Sequence, residues 1–243
     1  MERLIKIGKI KPRKASEIKN SRIGIGFEKL DRKVFNPEKA YDKLAMIGAK
    51  WVRIQSGWER TEQEKGVYDF EWLDSIVDNL LERGLVPWIN LAYGNGLYDD
   101  DAAKVFGAVG CPPVKSEEAK KGWADYITAL AAHMKGRISY YEVWNEPDGE
   151  WCWKHGPNGK EYGQFVVDTS VALKKGDSSA KVIGGAICMA KPLDFAYDAF
   201  SVGMGEHIDA ISFHEYVIDE TVVFRHVKAL RGLCNRFNPN IEI

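Results

Sequence analysis

One short segment of the sequence ends a run of aromatic and β-branched residues at a carboxylate. Residues 140–147 read YYEVWNEP. Tyr, Val and Trp favour a buried strand, and Pro147 ends it because proline has no N–H to donate to a ladder. Asn145 and Glu146 are therefore expected at the carboxyl end of a strand, where alternating α/β proteins carry their chemistry. A carboxyl group beside aromatic rings can have a raised pKa and donate a proton near neutral pH.

The rest of the chain alternates predicted strands with predicted helices. Besides the strand at 140–144, strands are predicted at 23–27, 51–55, 86–91, 181–187 and 208–214. Helices are predicted at 36–47, 70–83, 116–134, 160–175, 193–202 and 221–237. Alternation of this kind implies a parallel sheet with helices outside it. The predicted fold class is α/β, a (β/α)8 TIM barrel.

The count of units predicts an incomplete barrel. Six β/α units are followed by residues 240–243, NIEI, which begin a seventh strand, whereas a closed barrel needs eight. We expect a fragment, a split protein or part of a longer chain, with an open half-barrel that has its own closure as the alternative. Residues 23–243 form the partial barrel. Residues 1–22 form a basic segment, and the alternation at 4–7 suggests either an accessory-sandwich strand or a frayed tail.

Composition excludes several classes of protein. The 243 residues carry a formal net charge of −1, so nothing indicates a nucleic-acid partner or an anionic membrane, and no run has transmembrane length. The four cysteines form no ligand pattern and are predicted to be free thiols in a reducing compartment. No metal or cofactor motif is present, so no cofactor is predicted. A cytoplasmic location is expected, or a secreted one if a signal peptide has been removed.

The Trp-Asn-Glu-Pro motif after a strand resembles the acid/base signature of the (β/α)8 glycoside hydrolases of clan A. The resemblance extends from about residue 23 to the last residue, and residues 57–62 (GWERTE) and 65–70 (KGVYDF) look most like family 39 and its relatives. It implies that Glu146 is the general acid/base and that Asn145 bonds the sugar 2-hydroxyl. It also implies that Arg53 is the buried arginine of the clan and that His214 and Tyr216 line the sugar site.

The resemblance implies a retaining mechanism, which needs two carboxylates about 5–5.5 Å apart. In clan A the nucleophile is a Glu at the end of the seventh strand. Glu242 is the only carboxylate on the part of that strand present, and the expected position lies roughly 10–13 Å beyond it at about 3.3 Å per residue. The chain alone is therefore predicted to be inactive, with the missing C-terminal part of the barrel as its partner.

Each of these assignments has an alternative. Arg53 either contacts substrate or pairs with Glu142 inside the barrel, and His214 is either a site residue or a core histidine. Aromatic side chains suit sugar binding or core packing, and the stacking candidates are Trp58, Trp88, Trp151 and Trp153. The expected substrate is a β-linked oligosaccharide or polysaccharide. The alternatives to an enzyme are a non-catalytic carbohydrate-binding barrel and a fragment that needs complementation.

Overall fold

A computed structural model describes residues 7–9, 11–188 and 192–243. Six strands form one parallel sheet whose spatial order is the chain order, β1 to β6. They are β1 (Gly24–Gly26), β2 (Trp51–Gln55), β3 (Val86–Leu91), β4 (Tyr140–Val143), β5 (Lys181–Ile187) and β6 (Ala210–Phe213). This sequential parallel order confirms the α/β, TIM-barrel-type fold predicted from the sequence.

Helices connect the strands. They are α1 (Tyr41–Leu44), α2 (Trp58–Thr61), α3 (Glu71–Glu82), α4 (Asp100–Ala103), α5 (Glu117–Met134), α6 (Gly159–Gly176), α7 (Pro192–Ser201), α8 (Met204–His207) and α9 (Glu220–Phe237). The Ser116 side chain caps α5 by accepting the N–H of Ala119 at 3.1 Å, as expected for a serine before a helix. The long connecting helices lie within about two residues of their predicted bounds.

The first predicted helix, at 36–47, is wrong in length. Asn36 caps the N–H of Glu38 at 3.0 Å as predicted, but a 3₁₀ turn at Pro37–Lys39 follows it. The N–H of Ala40 bonds to the carbonyl of Pro37, which is the i−3 spacing of a 3₁₀ turn. Only the single turn of α1 follows, so the β1–β2 connection is more irregular than the pattern of the sequence indicated.

Alternation along the strands separates a helix-facing core from a polar barrel interior. In β2 the side chains of Val52 and Ile54 are at most 1% exposed and belong to the hydrophobic core. Their neighbours include Arg53, which forms an ion pair with Glu142 of β4. Because strand side chains alternate between faces, the interior of the barrel receives the charged groups and the space between sheet and helices receives the apolar ones.

The end of the chain pairs with the outer edge of β6. Glu242 forms a parallel bridge to Ala210, and the N–H of Ile211 donates to the Glu242 carbonyl at 2.8 Å. This pairing is what the first residues of a further parallel strand beside β6 would make. It agrees with the predicted start of a seventh strand.

The basic segment at 1–22 is only partly described, and the alternation at 4–6 lies outside the described residues. In its described part, Arg13 bridges to Ile47 and Ala15 is fully buried, with its N–H donating to Ala45 at 2.8 Å. Residues 13–18 therefore pack against the barrel.

All four cysteines are free in this structure, and the reducing compartment expected for them stays a prediction. Among the described helices, none has both the length and the apolar character that crossing a lipid bilayer requires.

Candidate active site

Glu146 lies immediately beyond β4, in a turn with unusual backbone geometry. Trp144 has φ +67° and Glu146 has φ +48°, values that are uncommon for residues other than glycine. The N–H of Glu146 donates at 2.9 Å to the carbonyl of Ala186, which lies in the neighbouring strand β5. Strained conformations of this type persist where many surrounding contacts hold the backbone in place, and they are frequent at functional sites.

A β-bulge in β5 presents the carbonyl that holds Glu146. The β5–β6 register shifts between Gly184 and Ile187, and Gly185 and Ala186 have φ +99° and +49°. A Cβ on Gly185 would lie 2.3 Å from the Ser212 carbonyl oxygen, so both the conformation and the close approach require glycine. β-Bulges are common next to active sites, where they change the direction in which strand residues point. Here the bulge turns the end of β5 toward Glu146.

The Glu146 carboxylate is held by two side chains from neighbouring strand ends and loops. His214, just after β6, places Nδ1 2.9 Å from Glu146 Oε1. The indole N–H of Trp151, in the loop after β4, donates to Oε2 at 2.5 Å. The convergence of Glu146 and His214 at the carboxyl ends of β4 and β6, expected from the sequence, is present.

These contacts lower the pKa of Glu146 to about 2, from an ordinary value of 4.5. The hydrogen bond to His214 is the largest cause, burial opposes it, and Trp151 and Cys188 lower the pKa further. The expectation of a raised pKa beside aromatic rings is therefore wrong for this arrangement, because hydrogen-bond donors to the charged form outweigh desolvation. The carboxylate is ionised near neutral pH.

This shift predicts a pH-dependent contribution to stability. Because the pKa is lower in the folded state, the contribution is complete above about pH 4.5 and is lost as the pH falls toward 2. We expect the difference in free energy of unfolding between wild type and Glu146→Gln to change over this range. Urea titrations at several pH values measure it, and Glu150→Gln, an exposed carboxylate in the same loop, is the matched control. A difference independent of pH would contradict the assignment.

Arg53 is the centre of a buried ionic network below Glu146. Its Nε donates to Glu142 at 2.5 Å, and one terminal nitrogen donates to Glu28 at 2.6 Å. Burial alone would lower the pKa of Arg53, but the charges of Glu142 and Glu28 raise it. Glu142 also accepts from Asn90 at 3.1 Å and from Ser212 at 2.7 Å. The pairing of Arg53 with Glu142, one of the two roles left open, is present.

The same guanidinium orients Asn145. The second terminal nitrogen of Arg53 donates to Asn145 Oδ1 at 3.0 Å, and Asn145 Nδ2 lies 3.5 Å from the sulfur of Cys152. The amide is therefore fixed with its oxygen toward the cation. The Asn145 side chain is half-buried beside Glu146. Asn145 and Glu146 both line the wall of one cleft.

That cleft has a volume of about 410 Å³ and lies at the carboxyl ends of the strands. Its lining residues include Glu28, Arg53, Trp88, Asn145, Glu146, His214 and Tyr216. Tyr216 is 83% exposed at its rim. The indole N–H of Trp88 is buried and has no acceptor within the described part of the chain.

Two predicted binding residues are corrected by the structure. Trp58 and Trp153 are both fully buried and cannot stack on a ligand. Trp58 lies between Tyr98 and Tyr126, with ring centroids 5.0 and 5.8 Å away. The indole N–H of Trp153 donates to Glu161 of α6 at 2.9 Å. Both rings are core residues beneath the loops, whereas Trp151 is 56% exposed.

Cys188 and Asp148 are site residues that the sequence did not indicate. Cys188 follows β5, and its N–H donates to the Asp148 carboxylate at 2.9 Å. Burial raises the pKa of the Cys188 thiol, and the charges of Glu146 and Asp148 raise it further. Neither residue belongs to a local motif, and only the order of adjacent strands brings Cys188 next to Glu146.

Known proteins resemble this chain over most of its length. Residues 36–228 match the sequence profile described as "Glycosyl hydrolases family 39". The chain is 30% identical over 191 residues to a β-xylosidase of Caldicellulosiruptor saccharolyticus, covering 71% of this chain and 38% of that protein. It is 29% identical over 163 residues to a β-xylosidase of Geobacillus stearothermophilus, covering 63% of this chain and 31% of that protein.

The fold agrees with solved structures as well. A family 39 β-xylosidase from Caulobacter crescentus superposes with a TM-score of 0.71 at 20% identity, covering 96% of this chain and 53% of that one. The chain thus spans about a third to a half of the length of these proteins. Since the family profile covers most of its residues, including the strand that carries Glu146, the chain belongs to glycosyl hydrolase family 39.

Proposed function

We propose that this chain carries the acid/base half of a retaining glycoside hydrolase site for β-linked sugars. The observation that carries the proposal is the position of Glu146. Its carboxylate lies at the carboxyl end of β4, in a cleft with Asn145 and His214. The curated relatives are named β-xylosidases, so a β-xyloside is the first substrate to test.

In this proposal Glu146 protonates the departing glycosidic oxygen and then deprotonates the attacking water. Its low pKa leaves Glu146 in the ionised form that the second step requires, but it removes the proton needed in the first step and makes the carboxylate a weak base. A second carboxylate about 5–5.5 Å away would raise the pKa of Glu146 by repulsion between like charges. We propose that this nucleophile comes from a strand beside β6, beyond the place where Glu242 pairs with Ala210.

Asn145 is proposed to bond the sugar 2-hydroxyl through its amide. Arg53 holds the amide oxygen, and one N–H of the amide donates to the Cys152 sulfur at 3.5 Å, so the second N–H remains to donate to the sugar. Tyr216 and Trp151 are proposed as aromatic walls of the sugar site, since both are more than half exposed beside Glu146.

The test is hydrolysis of p-nitrophenyl β-D-xyloside by the complete gene product, followed by NMR of the first sugar released. Retention predicts that the β-anomer appears first and then mutarotates. An α-anomer appearing first would contradict the two-carboxylate retaining mechanism. Binding without turnover would contradict the enzyme proposal.

The low pKa of Glu146 favours one second candidate, a non-catalytic carbohydrate-binding barrel. An ionised Glu146 would accept hydrogen bonds from sugar hydroxyls without donating a proton. This candidate predicts that calorimetry detects xylo-oligosaccharide binding while hydrolysis stays at the background rate. It also predicts that Glu146→Gln weakens sugar binding and does not change the background rate of hydrolysis.

Replacing the exposed tyrosine at the rim tests the aromatic wall. Tyr216→Ala is expected to raise KM or Kd for oligosaccharides by roughly 2- to 10-fold, as loss of about 0.5–1.5 kcal/mol of aromatic contact would. Because Tyr216 is 83% exposed, its loss should leave the melting temperature nearly unchanged. Tyr197→Ala, on α7 and 43% exposed, is the matched control. Unchanged binding by Tyr216→Ala would remove this residue from the site.

A further inference from the structure

Three different metal-binding groups converge beside the cleft from three adjacent strand ends. Glu146 follows β4, Cys188 follows β5 and His214 follows β6. One carboxylate oxygen, the sulfur and one ring nitrogen all lie within 4.8 Å of one another. Each of the three side chains is half-buried, which is open enough for an ion to enter.

We propose that Glu146, Cys188 and His214 form a binding site for a thiophilic transition-metal cation of the Zn²⁺ class. Oxygen, nitrogen and sulfur are the donors that Zn²⁺ uses, and three protein ligands with a fourth, open position are typical of catalytic zinc sites. Nothing in the sequence spacing shows this site, because residues 146, 188 and 214 are neighbours only in the folded sheet.

The distances suit such an ion after small side-chain rotations. Zn–N and Zn–O bonds of about 2.0–2.2 Å and a Zn–S bond of about 2.3 Å place tetrahedral ligands roughly 3.2–3.8 Å apart. His214 Nδ1 and Glu146 Oε1 are already 2.9 Å apart, and the upper limit of 4.8 Å for the cluster exceeds the tetrahedral spacing by about 1 Å. The ion would replace the hydrogen bond between His214 and Glu146.

The charges around the cluster also favour a cation. Asp148 accepts the Cys188 N–H and lies on the same side as Glu146, so two carboxylates face the thiol. The nearby positive charge of Arg53 is already paired with Glu142 and Glu28. Binding releases one proton: the thiol of Cys188 gives up its proton to solvent, and a thiolate lone pair forms the bond to the metal. The proton that His214 Nδ1 shares with Glu146 moves to the other ring nitrogen, Nε2, so that the Nδ1 lone pair is free to bind the ion.

Occupation of this site has a consequence for the cleft. A metal held by Glu146 ties down the carboxylate that the proposed function uses, so Zn²⁺ is expected to inhibit glycoside hydrolysis. The metal site itself does not depend on that function. The metal site is therefore tested by measuring metal binding directly, and inhibition of hydrolysis is measured in a separate experiment.

The experiment uses Co²⁺ as a spectroscopic probe in the complete gene product. Wild type is expected to bind one equivalent of Co²⁺ with a near-ultraviolet thiolate-to-cobalt absorption band, and Zn²⁺ should displace it. Cys188→Ser should abolish the band and weaken Zn²⁺ binding at least about tenfold, since loss of even an outer partner of a metal ligand costs 10–100-fold. Cys111→Ser, at a buried thiol in the β3–α5 connection, is the matched control and should keep both.

Measurements on the wild type keep the test independent of variant folding. Zn²⁺ should protect Cys188 from alkylation by iodoacetamide, as read by peptide mass spectrometry, while Mg²⁺, which prefers oxygen ligands, should not. Absence of a thiolate band in wild type, its persistence in Cys188→Ser, or equal protection by Zn²⁺ and Mg²⁺ would overturn the proposal. Failure of hydrolysis with intact Co²⁺ binding would count only against the proposed function.

Discussion

Glu146→Gln is expected to reduce kcat/KM for glycosides with poor leaving groups by about 10²- to 10⁴-fold, the usual contribution of a general acid. The amide keeps the shape of the side chain and its contact with Trp151 but has no transferable proton. Activated aryl glycosides should lose far less rate in the glycosylation step, because their leaving groups depart without protonation.

The second half of the reaction gives a chemical signature. Glu146→Gln also lacks the base that activates water, so the glycosyl-enzyme should accumulate with activated substrates. Added azide needs no base, and it should restore turnover and yield a β-glycosyl azide from a β-glycoside. The basic limb of the pH profile should flatten as well, since it reports the acid. Glu150→Gln, an exposed neighbour in the same loop, should behave as wild type.

Equal losses on both classes of substrate, with no azide product, would remove Glu146 from the acid/base role. The carbohydrate-binding candidate would then take precedence, because it uses the same cleft without proton transfer. The kinetic comparison therefore tests whether Glu146, whose pKa is low in this structure, donates the proton that the retaining mechanism requires.

The sequence was sufficient for those features that depend on local patterns. The strand before Glu146 was predictable because aromatic and β-branched residues run up to Pro147, and strand-then-helix alternation implies parallel strands. Convergence of Glu146 with His214 followed from that topology. The buried Arg53–Glu142 pair was predictable as an alternative, because a charge on an inward strand position requires a partner.

Features set by tertiary packing were not predictable. Whether Trp58, Trp151 or Trp153 faces the cleft depends on where the loops fold over α5 and α6, and two of the three are buried. The pKa of Glu146 depends on hydrogen bonds from His214 and Trp151, which are distant or loop residues. Cys188 carried no signal because it is brought next to Glu146 only by the pairing of β4 with β5 in the folded sheet.

The second large effect is expected at Arg53. Arg53→Met should destabilise the fold by about 3–5 kcal/mol, the usual cost of removing one partner from a buried ion pair. Glu142 is only 3% exposed, and without Arg53 its remaining partners among the described residues would be the neutral donors Asn90 and Ser212. Urea denaturation of wild type and variant at pH 7 measures the loss. Arg83→Met, whose partner Asp42 has a 90% exposed side chain, is the matched control and should cost about 0–1 kcal/mol.

A second substitution separates stability from positioning. Removing both charges with Arg53→Met and Glu142→Gln should recover part of the lost stability, because no buried charge then lacks its counter-ion. Activity should not recover with it, since Arg53 also holds Asn145 Oδ1 at 3.0 Å and the double variant leaves that amide free to rotate. A rise in KM for substrates that have a 2-hydroxyl, but not for 2-deoxy analogues, would show this loss of positioning. Recovery of both stability and activity would mean that Arg53 serves only the fold.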